Sequence, residues 1–160
     1  MGDPDATMTR IGQAIELSHR GDREAARHLF AEIWADIGES GDALYRCGLA
    51  HAMADVQDDP HEELTWDLRA LAAADLITVE RGAQAGLTSP VSGFYPSLHL
   101  NLGECCRKLG DLDRAREHLQ RGQAAVSALG SDGYDLMIKG GLDRLAERLA
   151  RVRPGDDSLR

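Results

Sequence analysis

The stretch that decides the fold occurs twice: residues 21–30 are GDREAARHLF and residues 110–119 are GDLDRAREHL. In each copy a Gly-Asp pair is followed by Ala four residues after the Asp and by a large apolar residue eight residues after it. The Gly can end one helix, and the Asp can begin the next by accepting hydrogen bonds from its unpaired backbone N–H groups. Each copy therefore predicts the turn and second helix of a helical hairpin, and such hairpins stack into solenoids.

The composition favours helices packed closely together. Apolar residues make up 42% of the 160 residues, but aromatic residues make up only 4%. The core must therefore be built from Ala and Leu rather than from large rings. A chain of this length can bury one continuous core without metal ions or disulfides, so we expect a single all-α domain.

The charge of the chain excludes several classes of partner. The formal net charge is −9, which repels phosphate backbones and acidic lipid surfaces. No segregated basic patch offsets it, and no apolar stretch is long enough to span a bilayer. We therefore expect neither a nucleic acid nor a membrane as partner.

Cysteine usage predicts the compartment. The chain has three cysteines, Cys47, Cys105 and Cys106, an odd number in which two are sequence neighbours. This pattern is typical of a reducing cytoplasm, and the N-terminus lacks the charged-then-apolar run of a secretory signal. Only two of the 18 basic residues are lysines, a bias typical of a bacterium with a GC-rich genome. The sequence thus predicts a cytoplasmic bacterial protein.

Apolar residues recur at helical spacing in about seven segments, which form three hairpins and a last helix. We expect this helical domain to cover residues 8–153, between a disordered N-terminus at 1–7 and a disordered tail at 154–160. Residues 77–96 are rich in Gly and Pro and predict a long connecting loop. The last helix is expected from about Ser131, with a kink or a close helix crossing at its two adjacent glycines.

The hairpins resemble the tetratricopeptide repeat family, whose signature is a large residue, Leu-Gly, a ring, and a downstream Ala and Phe. In hairpin three the matching residues are His99, Leu102, Gly103, Cys106, Ala115 and Leu119. In hairpin one they are Ala14, Leu17, Ala26 and Phe30, and in hairpin two they are Cys47, Gly48 and His51.

Hairpin two departs from the family pattern, because its turn over residues 54–60 is long and Leu64 replaces the small Ala. Ala14 and Gly48 lie 34 residues apart, which is about the family period. Gly48 and Gly103 lie 55 residues apart, which is more than one period. The long turn and the loop at 77–96 share the additional residues.

The resemblance implies a right-handed superhelix of antiparallel hairpins, capped by the last helix, with a concave groove lined by the first helix of each hairpin. That groove would bind a protein or peptide segment. Its surface would be apolar at one end and charged at the other. An amphipathic or extended segment with an acidic end would complement it. The groove-lining residues carried over from the family are Ile11, Ile15, Ser18, His19, Tyr45, Leu49, Ala52, Met53, Leu100, Glu104, Arg107 and Lys108.

A covered groove is an alternative to an open one, and three classes of function follow from the same residues. The loop at 77–96 or a second copy of the chain could cover the apolar end, because exposed apolar patches usually mark contacts. The chain could thus be a docking module, a regulatory protein that senses a peptide or small ligand, or a homo-oligomeric scaffold such as a homodimer. Binding of a carboxylate-terminated chaperone tail is disfavoured, because Ile11 and Ile15 replace the first polar pair that some family members use and only Asn101 matches a later one.

No motif predicts catalysis, a cofactor or a metal ion. The residues able to ligate a metal do not show paired ligand spacing, and they are His51, His61, His99, His118, Cys47, Cys105 and Cys106. Acidic residues near position 60 are explained by helix capping, and no phosphate-cradling loop follows a strand. We therefore expect a protein that is not an enzyme.

Overall fold

The structure is a computed structural model that describes residues 4–84 and 94–151. These residues form seven helices of 13 to 18 residues, one short α-helix and one 3-10 turn, and they contain no strand. This confirms the all-α class with about seven helices, whereas the right-handed superhelix stays a prediction. The α-helices are α1 Pro4–His19, α2 Arg23–Ile37, α3 Ala43–Asp55, α4 Pro60–Ala74, α5 Val79–Gln84, α6 Tyr95–Lys108, α7 Leu112–Ala124 and α8 Gly133–Ala150.

The chain divides into two compact units, Met1–Ile77 and Thr78–Arg160, which we call unit 1 and unit 2. Unit 1 contains the hairpins α1–α2 and α3–α4, with α2 packed against α3. Unit 2 contains the hairpin α6–α7, and α8 packs against both of its helices. The sequence predicts one continuous domain over residues 8–153, and that continuity stays a prediction.

The two Gly-Asp turns have the same geometry. Gly21 and Gly110 have φ angles of 88° and 82°, a left-handed conformation that Gly adopts without steric cost. The N–H of Asp22 donates to the carbonyl five residues earlier at 3.0 Å, and the N–H of Asp111 does the same at 2.9 Å. Each Asp side chain then accepts from the N–H three residues later at 3.3 Å. The repeated sequence therefore forms a repeated helix-ending and helix-starting turn.

The core of unit 1 surrounds Phe30, which is completely buried. Ala14, Ala26 and Ile33 pack around this ring, and the first two are small residues that let the helices approach closely. Asp59 begins α4 by accepting from the N–H of His61 at 2.9 Å, with a proline in the first turn as expected. In unit 2, helices α6, α7 and α8 supply the buried residues.

Several predicted boundaries differ from the structure. Helix α1 begins at Pro4, so residues 4–7, which the sequence predicts to be disordered, are helical. The region 77–96 is not all loop, because it contains the six-residue helix α5 and the first two residues of α6. Helical spacing does not predict α5, because six residues give too few turns to establish a period. Residues 85–93 of the predicted loop, and the predicted tail at 154–160, lie outside the described residues.

Helix α8 is continuous through Gly140 and Gly141, and it crosses α6 closely there. A Cβ at Gly141 would lie 2.6 Å from Cδ2 of Leu100, so the missing side chain allows this approach. None of the described helices combines the length and the apolar character needed to cross a bilayer.

Candidate functional site

Three of the predicted groove residues are buried in the core of unit 1. The exposed fraction is 5% for Ile11, 0% for Leu49 and 4% for Met53, and all three pack in the cluster that surrounds Phe30. The prediction that they line an open groove is therefore wrong. Their apolar spacing reports the side of the helix that faces other helices of the same unit.

The remaining groove residues of unit 1 are less buried. Ile15 and Tyr45 are half-buried and pack against the same core, as does Ala52. Ser18 is half-buried and His19 is exposed. Of the eight predicted groove residues in this unit, only His19 is thus exposed.

In unit 2 two of the predicted groove residues of α6, Leu100 and Glu104, contact α8. Leu100 contacts the backbone of α8 at Gly141. The Glu104 carboxylate accepts from Arg107 at 3.1 Å and from Arg148 of α8 at 2.6 Å. Leu100, Glu104 and Arg107 are therefore half-buried, and the charges of Glu104 and Arg107 are paired with each other. Lys108, at the end of α6, is exposed.

A different group of side chains forms the best candidate site, and it lies entirely within unit 1. The indole rings of Trp34 in α2 and Trp66 in α4 meet edge to face, with centroids 5.1 Å apart and planes at 83°. Arg46 of α3 places its guanidinium carbon 4.4 Å from the Trp34 centroid. Arg69 of α4 lies 4.4 Å from the Trp66 centroid and 5.9 Å from that of Trp34. We call these four residues the Trp-Arg cluster.

Local structure positions each member of this cluster. Trp66 and Arg69 are three residues apart on one helix, a spacing that puts both side chains on the same face. Trp34 lies in the last turn of α2, and Gly38, with a φ of 74°, caps the end of this helix. Arg46 donates a hydrogen bond from Nη1 to the carbonyl of Gly38, so it links the start of α3 to the end of α2 beside the Trp34 ring.

The cluster combines apolar rings with cations at the surface. Both tryptophans and Arg46 are half-buried, and Arg69 is exposed. Significant cation–π contacts occur about once per 70–80 residues, whereas three of them here involve two neighbouring rings. Such a surface offers apolar area, ring edges and guanidinium N–H groups to a ligand.

The two arginines of the cluster differ from the other arginines of unit 1 in their partners. Arg10, Arg20, Arg23 and Arg27 each form an ion pair with an acidic side chain. Within the described part of the chain, neither Arg46 nor Arg69 is ion-paired to a carboxylate. This is notable because residues 1–77 hold sixteen Asp and Glu, six Arg and no Lys, which gives a formal charge of −10.

Among the titratable groups of unit 1, Cys47 and Asp58 have shifted pKa values. Burial raises the pKa of the Cys47 thiol to about 11, so the thiol stays protonated and is a poor nucleophile. Hydrogen bonds from Arg27 and Arg23 lower the pKa of Asp58. No group of three or more His, Cys, Asp or Glu residues able to hold a metal ion occurs in the ranges 4–84 and 94–151. The absence of catalysis stays a prediction.

The helical spacing of the sequence does not reveal this site. It places Trp34 in the apolar stripe of its helix and does not single out Trp66. One signal is present, because these are the two tryptophans of the whole chain and Trp66 has an arginine three residues later. The contact between Arg46 and Trp34 joins two helices, and helical spacing does not predict it.

Comparison with known proteins found no matching family model, no matching curated protein and no matching solved structure. The resemblance to tetratricopeptide repeats therefore stays a prediction from the residues quoted above.

Proposed function

We propose that this chain is a non-catalytic binding module that docks a protein or peptide segment on its helical hairpins. The observation that carries the proposal is the half-exposed Trp-Arg cluster in unit 1. Tryptophan and arginine are the residue types most enriched among interface residues that dominate binding energy. The resemblance to tetratricopeptide repeats supports the same class of function.

The burial of Leu49 and its neighbours changes where the partner would sit. The apolar end of the predicted groove is occupied by core packing, so it offers little surface to a ligand. The Trp-Arg cluster instead supplies the partly exposed faces and edges of two indole rings. The proposal also places the module in the cytoplasm, because all three cysteines are reduced thiols buried inside the chain.

Selection from a random peptide display library tests this function on the full chain. We expect segments to be enriched, and we expect Trp66→Ala and Arg69→Ala each to abolish their binding. Leu68→Ala is the matched control, because Leu68 is a partly exposed apolar residue of the same helix and is not in the cluster. Failure to enrich any segment, or equal loss of binding in the control, contradicts the proposal.

A second candidate function is a homo-oligomeric scaffold, which one observation in unit 2 favours. Tyr134, Leu136 and Met137 at the start of α8 are 53–57% exposed, and exposed apolar side chains in one place mark contacts. Light scattering over a wide concentration range tests this function. A mass that rises with concentration and returns to the monomer value in Met137→Ser supports it, and a monomer at every concentration rejects it.

A further inference from the structure

From its charges and contacts, we infer that the Trp-Arg cluster recognises a short segment in which one apolar side chain is flanked by carboxylates. This inference rests on the proposed function, because it names the partner class for the same site. The apolar side chain would pack on the edge-to-face pair of Trp34 and Trp66, and the carboxylates would bind Arg46 and Arg69.

Both guanidinium groups of the cluster are held in place before any ligand binds. Each guanidinium lies over an indole ring with its central carbon 4.4 Å from the ring centroid. Arg46 is also fixed by its hydrogen bond to the Gly38 carbonyl. Arginine has five N–H donors, so this single bond leaves donors for a ligand. Ordering these long side chains in advance lowers the entropy cost of binding.

A carboxylate is the ligand group that best matches Arg46 and Arg69. Unit 1 contains an excess of Asp and Glu, and its four other arginines are ion-paired with them. The fold nevertheless leaves Arg46 and Arg69 without a carboxylate partner among the described residues. A ligand carboxylate would supply the charge-assisted, bidentate hydrogen bonds that arginine favours.

The negative charge of unit 1 limits the size of the anionic ligand. The local charge of the cluster is +2, but residues 1–77 carry a formal charge of −10. Electrostatic interactions between exposed charges are largely screened beyond about 8 Å at physiological ionic strength. One or two carboxylates in contact with the arginines are therefore attracted, whereas a long polyanion that ran across the unit would meet its acidic surface. This favours a protein segment over a nucleic acid.

The chain carries its own probe for the test. Trp34 and Trp66 are the two tryptophans of the sequence, so the intrinsic fluorescence of the full chain reports directly on the cluster. The titrants are two capped tripeptides of equal size, acetyl-Asp-Leu-Glu-amide and acetyl-Asn-Leu-Gln-amide. We expect the acidic peptide to bind about 10-fold more tightly or better, because hydrogen bonds to charged groups contribute about that much.

Two variants and one control assign the preference to the arginines. Arg69→Gln and Arg46→Gln should each abolish the preference for the acidic peptide while leaving the helical content unchanged. Arg20→Gln should retain it, because Arg20 is an exposed arginine of the same unit that is paired with Glu16.

The failure of this inference differs from the failure of the proposed function. Equal binding of both peptides, or a preference that persists in both cluster variants, overturns the inference and leaves a segment-binding module. If neither peptide changes the fluorescence while the display library still enriches segments, the inference is also overturned and a segment-binding module remains. No response in either experiment overturns both. A fluorescein-labelled oligothymidine that binds as tightly as the acidic peptide, and depends on the same arginines, overturns the inference in favour of nucleic acid.

Discussion

The imidazole rings of His99 and His118 meet in the α6–α7 hairpin with their Nδ1 atoms 3.1 Å apart. Both side chains are buried, each 6% exposed, and their ring centroids are 5.4 Å apart. At this distance one Nδ1 must donate and the other must accept, so at least one imidazole must be neutral. If both rings were protonated, two N–H donors would face each other inside the hairpin.

We expect the α6–α7 hairpin to lose stability as the pH falls below 6.5. Burial, aided by the positive charges of Arg121 and Arg114, lowers the pKa of His118 below its usual 6.5, and Glu117 and Asp111 oppose this shift only in part. The unfolded chain therefore binds the proton at a higher pH than the folded chain. The stabilisation is complete above pH 6.5 and is lost as the pH falls through the lowered pKa.

Urea denaturation at pH 7.5 and pH 5.5 measures this dependence. His118→Asn removes the titrating group and should reduce the loss of unfolding free energy between the two pH values. His28→Asn is the control, because His28 is an exposed histidine of α2, and it should retain the full loss. An identical pH dependence in His118→Asn and the unmodified chain contradicts the prediction.

Two glycines that match the same family position should respond in opposite ways to alanine. A Cβ at Gly103 would lie 2.7 Å from Cδ2 of Leu145, which is completely buried, and 3.4 Å from the carbonyl oxygen of Ala115. A Cβ at Gly48 would meet no atom within 4 Å. Alanine gains about 1 kcal/mol in helix propensity at either site, but overpacking a core costs about 1–3 kcal/mol.

We therefore expect Gly48→Ala to raise the free energy of unfolding by up to about 1 kcal/mol. Gly103→Ala should lower it by roughly 1 kcal/mol, because the packing cost exceeds the gain in propensity. Chemical denaturation of both variants at pH 7.5 compares them directly. Stabilisation by Gly103→Ala would show that Leu145 moves aside at little cost.

The contrast between Gly48 and Gly103 shows what the sequence could predict. The two Gly-Asp turns are determined by adjacent residues, and both form as expected. The environments of Gly48 and Gly103 depend on which helix packs against each one, and helical spacing does not contain that information. The same limit applies to Leu49, because spacing identifies an apolar face but not whether other helices cover it. The Trp-Arg cluster joins three helices, so it also required the structure.

Burial of Leu49 predicts a loss of stability rather than a specific loss of binding. Leu49 is completely buried in the Phe30 cluster, and Leu→Ala changes in cores cost about 2–5 kcal/mol. We expect Leu49→Ala to lower the free energy of unfolding by this amount in urea denaturation. His19→Ala, at an exposed position of the predicted groove, should change it by less than about 0.5 kcal/mol. If Leu49→Ala changed the free energy of unfolding as little as His19→Ala does, the groove assignment of Leu49 would be restored.

The edge-to-face contact between Trp34 and Trp66 should stabilise unit 1 beyond the area that the two rings bury. Their centroid distance of 5.1 Å and angle of 83° match the geometry in which the positive edge of one ring meets the negative face of the other. A double-mutant cycle with Trp34→Leu and Trp66→Leu, followed by urea denaturation, isolates this coupling. We expect a coupling free energy of about 0.5–1.5 kcal/mol.

A second cycle provides the control for that coupling. It pairs Trp34→Leu with Leu68→Ala, because Leu68 lies on the same helix as Trp66 but not in the cluster, and its coupling should be near zero. Arg69 contacts both rings, so part of the measured coupling could pass through its guanidinium. Repeating the first cycle in Arg69→Gln separates the two contributions. A coupling that disappears in Arg69→Gln would mean that the cation, and not the ring contact, joins the two tryptophans.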